Sequence, residues 1–322
     1  MSIDSITNFV REASFDPSSY WDYAQLERLA GLELPHDLLG DQATLLKADQ
    51  HRLWLKWFLE GLASPSRIAG DSSLRRLDIF EAVLGRVTQR YPMVERHRRA
   101  ALAEKITDHL EAEVDRIRLA NSRDHATSAT RQALISASAV PRCYICGYAF
   151  SQEAIDAFRR VKGREKVKTP LLVDVLRPRG LVERDITIEI EHVVPVAQGG
   201  SGQGNLKLAC GWCNKHKSSR VSLYEAPFVA PKTLPFVLGS HRLHELPSPF
   251  WTIRVMALRG RCQHVDDCDC TAENAELFIS LADWTGSPNP TNLVVHCKDH
   301  DPIATHRMVD CASAESIWNS RR

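Results

Sequence analysis

No part of the 322-residue chain holds the roughly 18–20 consecutive apolar residues that a bilayer span requires. The opening MSIDSITNFV has no basic segment and meets Asp4 early, which predicts no secretory signal and a cytoplasmic protein. Cysteine is absent from the first 142 residues, although the chain has nine. A short disulfide-stapled secreted scaffold is therefore excluded, and metal-bound thiolates in a reducing compartment fit better. Neither sign of charge dominates, since 41 Lys/Arg face 40 Asp/Glu. With 43% hydrophobic and 25% charged residues, wholesale disorder is excluded too.

The near-zero net charge is unevenly spread. Residues 1–60 carry five Lys/Arg against ten Asp/Glu, whereas residues 159–184 carry nine against three. Residues 205–220 add four basic side chains and no acid, and residues 260–283 return to one against six. A polyanion is drawn to the middle of the chain.

Apolar spacing predicts helices over 43–62, 74–87 and from Pro92 toward Leu119, so residues 1–138 read as a helical domain or arm. Tyr20, Trp21, Tyr23, Trp54 and Trp57 lie in acidic surroundings, which favours core or interface anchors over a base-stacking platform. Residues 139–222 form a second region and 223–322 a third. Residues 185–194 (DITIEIEHVV) alternate as a half-exposed strand does. Residues 221–260 hold five prolines and suggest a connector or edge strands.

Two C-x2-C pairs, Cys143/Cys146 and Cys210/Cys213, are separated by 63 residues and meet only if the chain folds back. Four thiolates give a closed tetrahedral site of the structural zinc type, and such binding supplies on the order of 10 kcal/mol of folding energy. An iron–sulfur cluster also takes four thiolates. The string between and around the second pair, IEIEHVVPVAQGGSGQGNLKLACGWCNKHKSSR at 188–220, favours zinc.

That string resembles the HNH (ββα-metal) nuclease superfamily, in the subset with two CxxC zinc knuckles. The EHxxP, GG, NL and CxxCN elements stand in the family's order, and the likeness covers about residues 143–220. It implies a central zinc-stapled ββα-metal nuclease domain with a basic insertion; together with the helical N-terminal region and a small C-terminal zinc-binding region, both read from the residues themselves, the chain is expected to be α+β. The resemblance implies that His192 is the general base, Asn205 the middle Asn and Asn214 the last position. The acidic position before the base is usually Asp; here it is Glu191, one methylene longer.

The chemistry suits that assignment. Phosphodiester hydrolysis needs a proton acceptor for water, and a neutral imidazole supplies one near pH 7. Glu191 and Asn214 offer hard oxygens for catalytic Mg²⁺ or Mn²⁺. Adjacent strand residues point to opposite faces, so bringing Glu191 and His192 to one site predicts a bend or bulge. Asn205 is expected to bond across the loop and hold the backbone carrying His192. Arg159, Arg160, Lys162, Lys215, Lys217 and Arg220 are expected to meet the phosphates of DNA, double-stranded by the resemblance, and His216 is a weaker ligand candidate. The products would carry 5′-phosphate and 3′-hydroxyl ends. The alternative is a non-catalytic zinc module binding nucleic acid or protein, and the N-terminal helices suit a protein partner or self-association.

Residues 286–300 (GSPNPTNLVVHCKDH) echo 199–213 at a shift of 87, which aligns Asn292 with Asn205 and Cys297 with Cys210. Cys262, Cys268, Cys297 and His300 are the expected second zinc ligands, with Cys270 as the replacement. The same shift sets Phe278 and Ile279 against Glu191 and His192, so this copy lacks acid and base. Cys311 is left over and expected to be buried.

Overall fold

The computed structural model describes residues 3–13, 22–121, 127–194, 203–226, 235–265 and 268–320. Tyr20, Trp21, Pro195, the Gly199–Gly200 loop, Asp266 and Asp267 lie outside these residues. The chain divides into two units, Met1–Ala48 and Asp49–Arg322. Among the described residues no helix is long and apolar enough to cross a membrane.

The first unit contains α1 (Ile3–Glu12) and α2 (Tyr23–Ala30), neither of which buries a residue. The Asp22 carboxylate caps α2 by accepting from the Ala24 N–H at 3.0 Å. Helix α3 (Ala43–Leu62) begins here and carries the chain onward. Tyr23, Trp54 and Trp57 are 75%, 54% and 59% exposed, which removes the core half of the expectation for these rings.

In the second unit, α3 is followed by α4 (Pro65–Gly70), α5 (Arg76–Arg90) and α6 (Arg96–Asn121). Their apolar stripes meet in one core that includes Leu62, Ile68, Val83, Val87, Ile106 and Leu110. On the outside, Arg76 ties α5 to α6 through Glu104, Asp108 and Glu111.

The rest of the unit is mixed: α7 (Ser128–Ser136), α8 (Gln152–Arg159), β1 (Leu172–Asp174), α9 (Glu183–Ile186), β2 (Ile188–His192), β3 (Leu206–Cys210) and α10 (Gly211–Lys217). Then come β4 (Phe236–Leu238), β5 (His241–Leu243), α11 (Pro249–Arg259), β6 (Leu277–Leu281), β7 (Leu293–Cys297), β8 (Met308–Asp310) and α12 (Cys311–Asn319). Among the described residues the strands form four antiparallel pairs: β1–β8, β2–β3, β4–β5 and β6–β7.

Two elements differ from the sequence reading. The strand expected over 185–194 opens with the short helix α9, because the Asp185 carboxylate turns back to accept from the N–H groups of Gly180 and Val182. The stretch 221–260, read as lacking a long element, contains α11. Its Pro249 sits in the first turn, where no N–H is needed, and its Phe250, Ile253, Val255 and Met256 are buried. The boundary expected at 222 is crossed repeatedly. Strand β1 pairs with β8, and Asp49 accepts from the Leu223 N–H at 2.8 Å and from Arg254 at 2.7 Å.

Candidate metal centres and the hairpin–helix site

The chain folds back so that Cys143, Cys146, Cys210 and Cys213 converge, each fully buried, with all four Sγ atoms within 4.8 Å of one another. Cys146 Sγ and Cys210 Sγ lie 4.0 Å apart. A tetrahedron with metal–sulfur arms near 2.3 Å has edges of about 3.8 Å, so the four thiols fit a zinc ion. Burial raises the Cys210 and Cys213 thiols. Burial also opposes ionisation of Cys146, but its three thiol neighbours and the Arg177 charge outweigh that and hold it low.

Two glycines let the cluster close. Gly147 adopts φ +69°, and a Cβ there would stand 1.8 Å from the Ala275 carbonyl oxygen. A Cβ on Gly211, at the start of α10, would stand 1.9 Å from the Arg184 carbonyl oxygen.

Strands β2 and β3 form a hairpin whose register runs from Ile188 opposite Cys210 to His192 opposite Leu206. The five rungs are continuous. Of the bend or bulge expected at Glu191–His192, no bulge interrupts this ladder; β2 stays regular to His192 and the chain bends just after it, at Val193 and Val194. Alternation therefore places Glu189 and Glu191 on the face that α10 covers, and His192 on the other.

Helix α10 answers that acidic face with two side chains one turn apart. Asn214 donates its amide to Glu189, and Lys217 forms an ion pair with Glu191 while also donating to the His192 carbonyl oxygen at 2.8 Å. Arg184 completes the group at 2.7 Å from Glu189. Burial raises the Glu191 carboxyl, with Lys217 opposing the shift. Burial lowers the half-buried His192 imidazole, and the Lys217 charge lowers it further, so the ring is neutral at pH 7. Glu191 and Asn214, expected as ligands of one catalytic ion, have Lys217 and Glu189 as their respective side-chain partners.

Asn205 stands just before β3. Its carbonyl oxygen accepts from the Val194 N–H at 2.9 Å, and its amide donates to the Val194 carbonyl at 2.8 Å. The backbone two residues past His192 is thereby fixed.

The basic residues divide into two groups. Arg159, Arg160, Lys162 and Lys215 are exposed, the first three where α8 ends and Arg160 turns left-handed at φ 61°. Lys217, expected to face a duplex, is instead 8% exposed because Glu191 holds it inward. Arg220 donates to the His216 carbonyl oxygen and lies over the Phe250 ring, so it too is turned onto the protein. His216 packs its ring on Trp212, with centroids 4.6 Å apart.

Sequence reasoning missed Glu189 and gave Lys217 an outward, phosphate-facing place instead of its place on Glu191. Both were signalled: IEIEH puts two acids on one strand face, and Asn214 and Lys217 are three apart on a helix.

A second ligand set gathers in the C-terminal part. Cys262, Cys268, Cys297 and His300 bring their donor atoms within 4.8 Å of one another. Cys268 Sγ and Cys297 Sγ are 3.8 Å apart, and His300 Nδ1 lies 3.3 Å from Cys297 Sγ. These four could hold a metal such as zinc. Hydrogen bonding to Cys268 and burial push the neighbouring Cys270 thiol up to about 12. Cys311, expected to be buried, is only half-buried, and its thiol donates to the Pro170 carbonyl oxygen.

The two metal-ligand sets sit in the same local architecture. Cys143 N–H donates to Tyr148 O and Tyr144 N–H to Leu208 O; correspondingly Cys262 N–H donates to Cys270 O and Gln263 N–H to Val295 O. Asn292 repeats the Asn205 clamp, accepting from the Asp283 N–H and donating to its carbonyl, both at 2.8 Å. Ile188 opposite Cys210 matches Leu277 opposite Cys297. The first strand is thus shifted by 89 residues and the second by 87, because the second hairpin loop is two residues shorter. This corrects the single 87-residue shift. Ser280 and Leu281, not Phe278 and Ile279, stand where Glu191 and His192 do, and the acid and base are still missing.

Searches of family models, curated proteins and solved structures gave no match to this chain.

Proposed function

We propose that this protein is a metal-dependent endonuclease of the HNH type, hydrolysing phosphodiester bonds in DNA at the hairpin–helix site. The observation that carries the reading is the end of the hairpin, where acid and base stand on opposite faces of β2 and the chain bends just past His192, so the ring has to swing to the Glu191 side to serve an ion held there. An imidazole held neutral ends β2, a buried carboxylate precedes it, and Asn214 faces the same strand from a helix braced by four thiols. His192 accepts the proton of the attacking water. Asn205, clamped to Val194, positions the backbone that carries His192. Glu189, Glu191 and Asn214 supply carboxylate and amide oxygens of the type that hold Mg²⁺ or Mn²⁺. Such an ion, when bound, would stabilise negative charge developing on the phosphate and the leaving 3′ oxygen. Lys217 is the competing cation for Glu191 and must give way to it. The exposed Arg159, Arg160, Lys162 and Lys215 supply phosphate contacts. The four-thiol set takes a structural zinc and leaves it no open position.

The buried Glu191–Lys217 pair favours a second reading, a non-catalytic zinc module that binds nucleic acid or protein, since the carboxylate already has a cation. Nicking of supercoiled plasmid with added Mg²⁺ or Mn²⁺ separates the two. The nuclease reading expects cleavage that His192→Ala abolishes without loss of zinc; binding without cleavage supports the second.

A further inference from the structure

A cavity of about 400 Å³, none of whose lining residues belongs to β2 or α10, is walled by the β1–β8 pair, the segment around Arg177 and Arg179, and Phe278 of β6. Its polar lining is dominated by cations: Arg177, Arg179 and Arg307, with Lys168 and Lys298. Three acids, Asp174, Glu276 and Asp301, share the cavity and pair with the three arginines, which leaves Lys168 and Lys298 in excess among the lining charges.

The hydrogen bonds of the guanidinium groups can be followed atom by atom. Arg177 and Arg179 each direct Nη2 to the same Glu276 oxygen, at 2.9 and 2.6 Å. Arg307 spends Nη1 on Asp301 and Nη2 on the Ile279 carbonyl oxygen. Arg177 Nε and Nη1, Arg179 Nε and Arg307 Nε are buried and make no hydrogen bond among the described residues, although Arg307 Nε lies 3.2 Å and Arg177 Nε 3.9 Å from the Asp174 carboxylate oxygens. Arg177 and Arg307 are 1% and 2% exposed. Buried donors left without hydrogen bonds are costly, and here four belong to arginines that line one cavity. Arg179 also faces Cys146 Sγ at 3.5 Å, so part of its charge answers the thiolates. Arg307, Lys168 and Lys298 have no contact of that kind among the described residues.

Planar guanidinium forks match phosphate oxygens. The volume is within the range of small-molecule pockets and larger than a bare phosphate needs. The remaining wall is apolar, formed by Pro170, Leu172, Ile186 and Met308. We propose that this cavity binds a nucleotide, its phosphate on Arg177, Arg179 and Arg307 and its uncharged part against that apolar wall. The nucleotide is either free or the 5′-phosphorylated end of a strand.

The test is calorimetry on the full zinc-loaded chain without Mg²⁺, using adenosine 5′-monophosphate, adenosine, inorganic phosphate and a short oligonucleotide with or without a 5′-phosphate. The monophosphate should bind at least about tenfold more tightly than adenosine or phosphate alone. Substituting the buried arginines endangers folding, so the exposed rim is changed instead. Lys298→Glu and Lys168→Glu should each weaken binding about tenfold, while His192→Ala leaves it unchanged. Tighter binding of the 5′-phosphorylated oligonucleotide than of the free monophosphate identifies a strand end; the reverse identifies a free nucleotide, and either supports the site. No binding at millimolar monophosphate overturns the proposal, as does binding indifferent to both lysine substitutions or equally strong for adenosine. The cavity shares no residue with Glu191, His192 or Asn214 and the readout needs no cleavage, so its failure is separate from that of the nuclease reading.

Discussion

Lys217 reaches from the last turn of α10 to Glu191 on β2, and both side chains are buried where they meet. The pair joins helix to hairpin and puts a positive charge beside His192. Removing one partner leaves an uncompensated buried charge. Lys217→Ala should therefore destabilise the chain by about 3–5 kcal/mol in urea unfolding, and adding Glu191→Gln should recover much of that. Mg²⁺ should raise the unfolding midpoint of Lys217→Ala more than that of the wild type, because the ion takes over the carboxylate. A double variant as unstable as Lys217→Ala alone would show that Glu191 is not the partner that matters.

Asn205 and Asn292 make the same two backbone bonds in two hairpins, but only the first hairpin carries an acid and a base. Asn205→Ala and Asn292→Ala should each cost about 1–3 kcal/mol of stability. Cleavage should fall about 100-fold for Asn205→Ala, since a displaced base is costly. At a temperature where both variants stay folded, Asn292→Ala should cleave as the wild type does. Equal rates for the two variants would remove Asn205 from its positioning role.

The metal-ligand sets were the most legible part of the sequence, because thiols at C-x2-C spacing have few other uses. All eight residues, Cys143 to His300, come together as expected. Long helices were legible from their apolar stripes. Helix α11 was not, because Pro249 looks like a breaker until its place in the first turn is known. Lys217 was misjudged because a lysine-rich segment after a metal knuckle reads as a solvated or phosphate-facing surface. Only the register of β2 against α10 shows that its charge is needed inside. The echo was found with the wrong offset in one strand, since a loop two residues shorter is invisible to a single shift.

Cys210→Ser should remove one zinc ion per chain, measured by elemental analysis, and lower the unfolding temperature. Cys297→Ser should remove one ion as well, while leaving the first hairpin able to cleave. Zinc content unchanged by either substitution would end the assignment of that site.

His192 is held below the ordinary histidine range by burial and by Lys217. As a base it must be neutral, so activity is lost as pH falls through this lowered value and flat above it. The acid limb of kcat/KM should lie below that of a solvent-exposed histidine. Lys217→Met removes one of the two causes and should move the limb to higher pH. A limb that does not move, in a variant that still folds, would detach His192 from the profile.

The most direct measurement is nicking of supercoiled plasmid by the zinc-loaded chain with and without Mg²⁺ or Mn²⁺, comparing wild type with His192→Ala. The account predicts metal-dependent nicking by the wild type, with 5′-phosphate ends and no activity in the variant at unchanged zinc content. Cleavage that persists in His192→Ala, or a folded wild type that binds DNA and never cuts it, would contradict it.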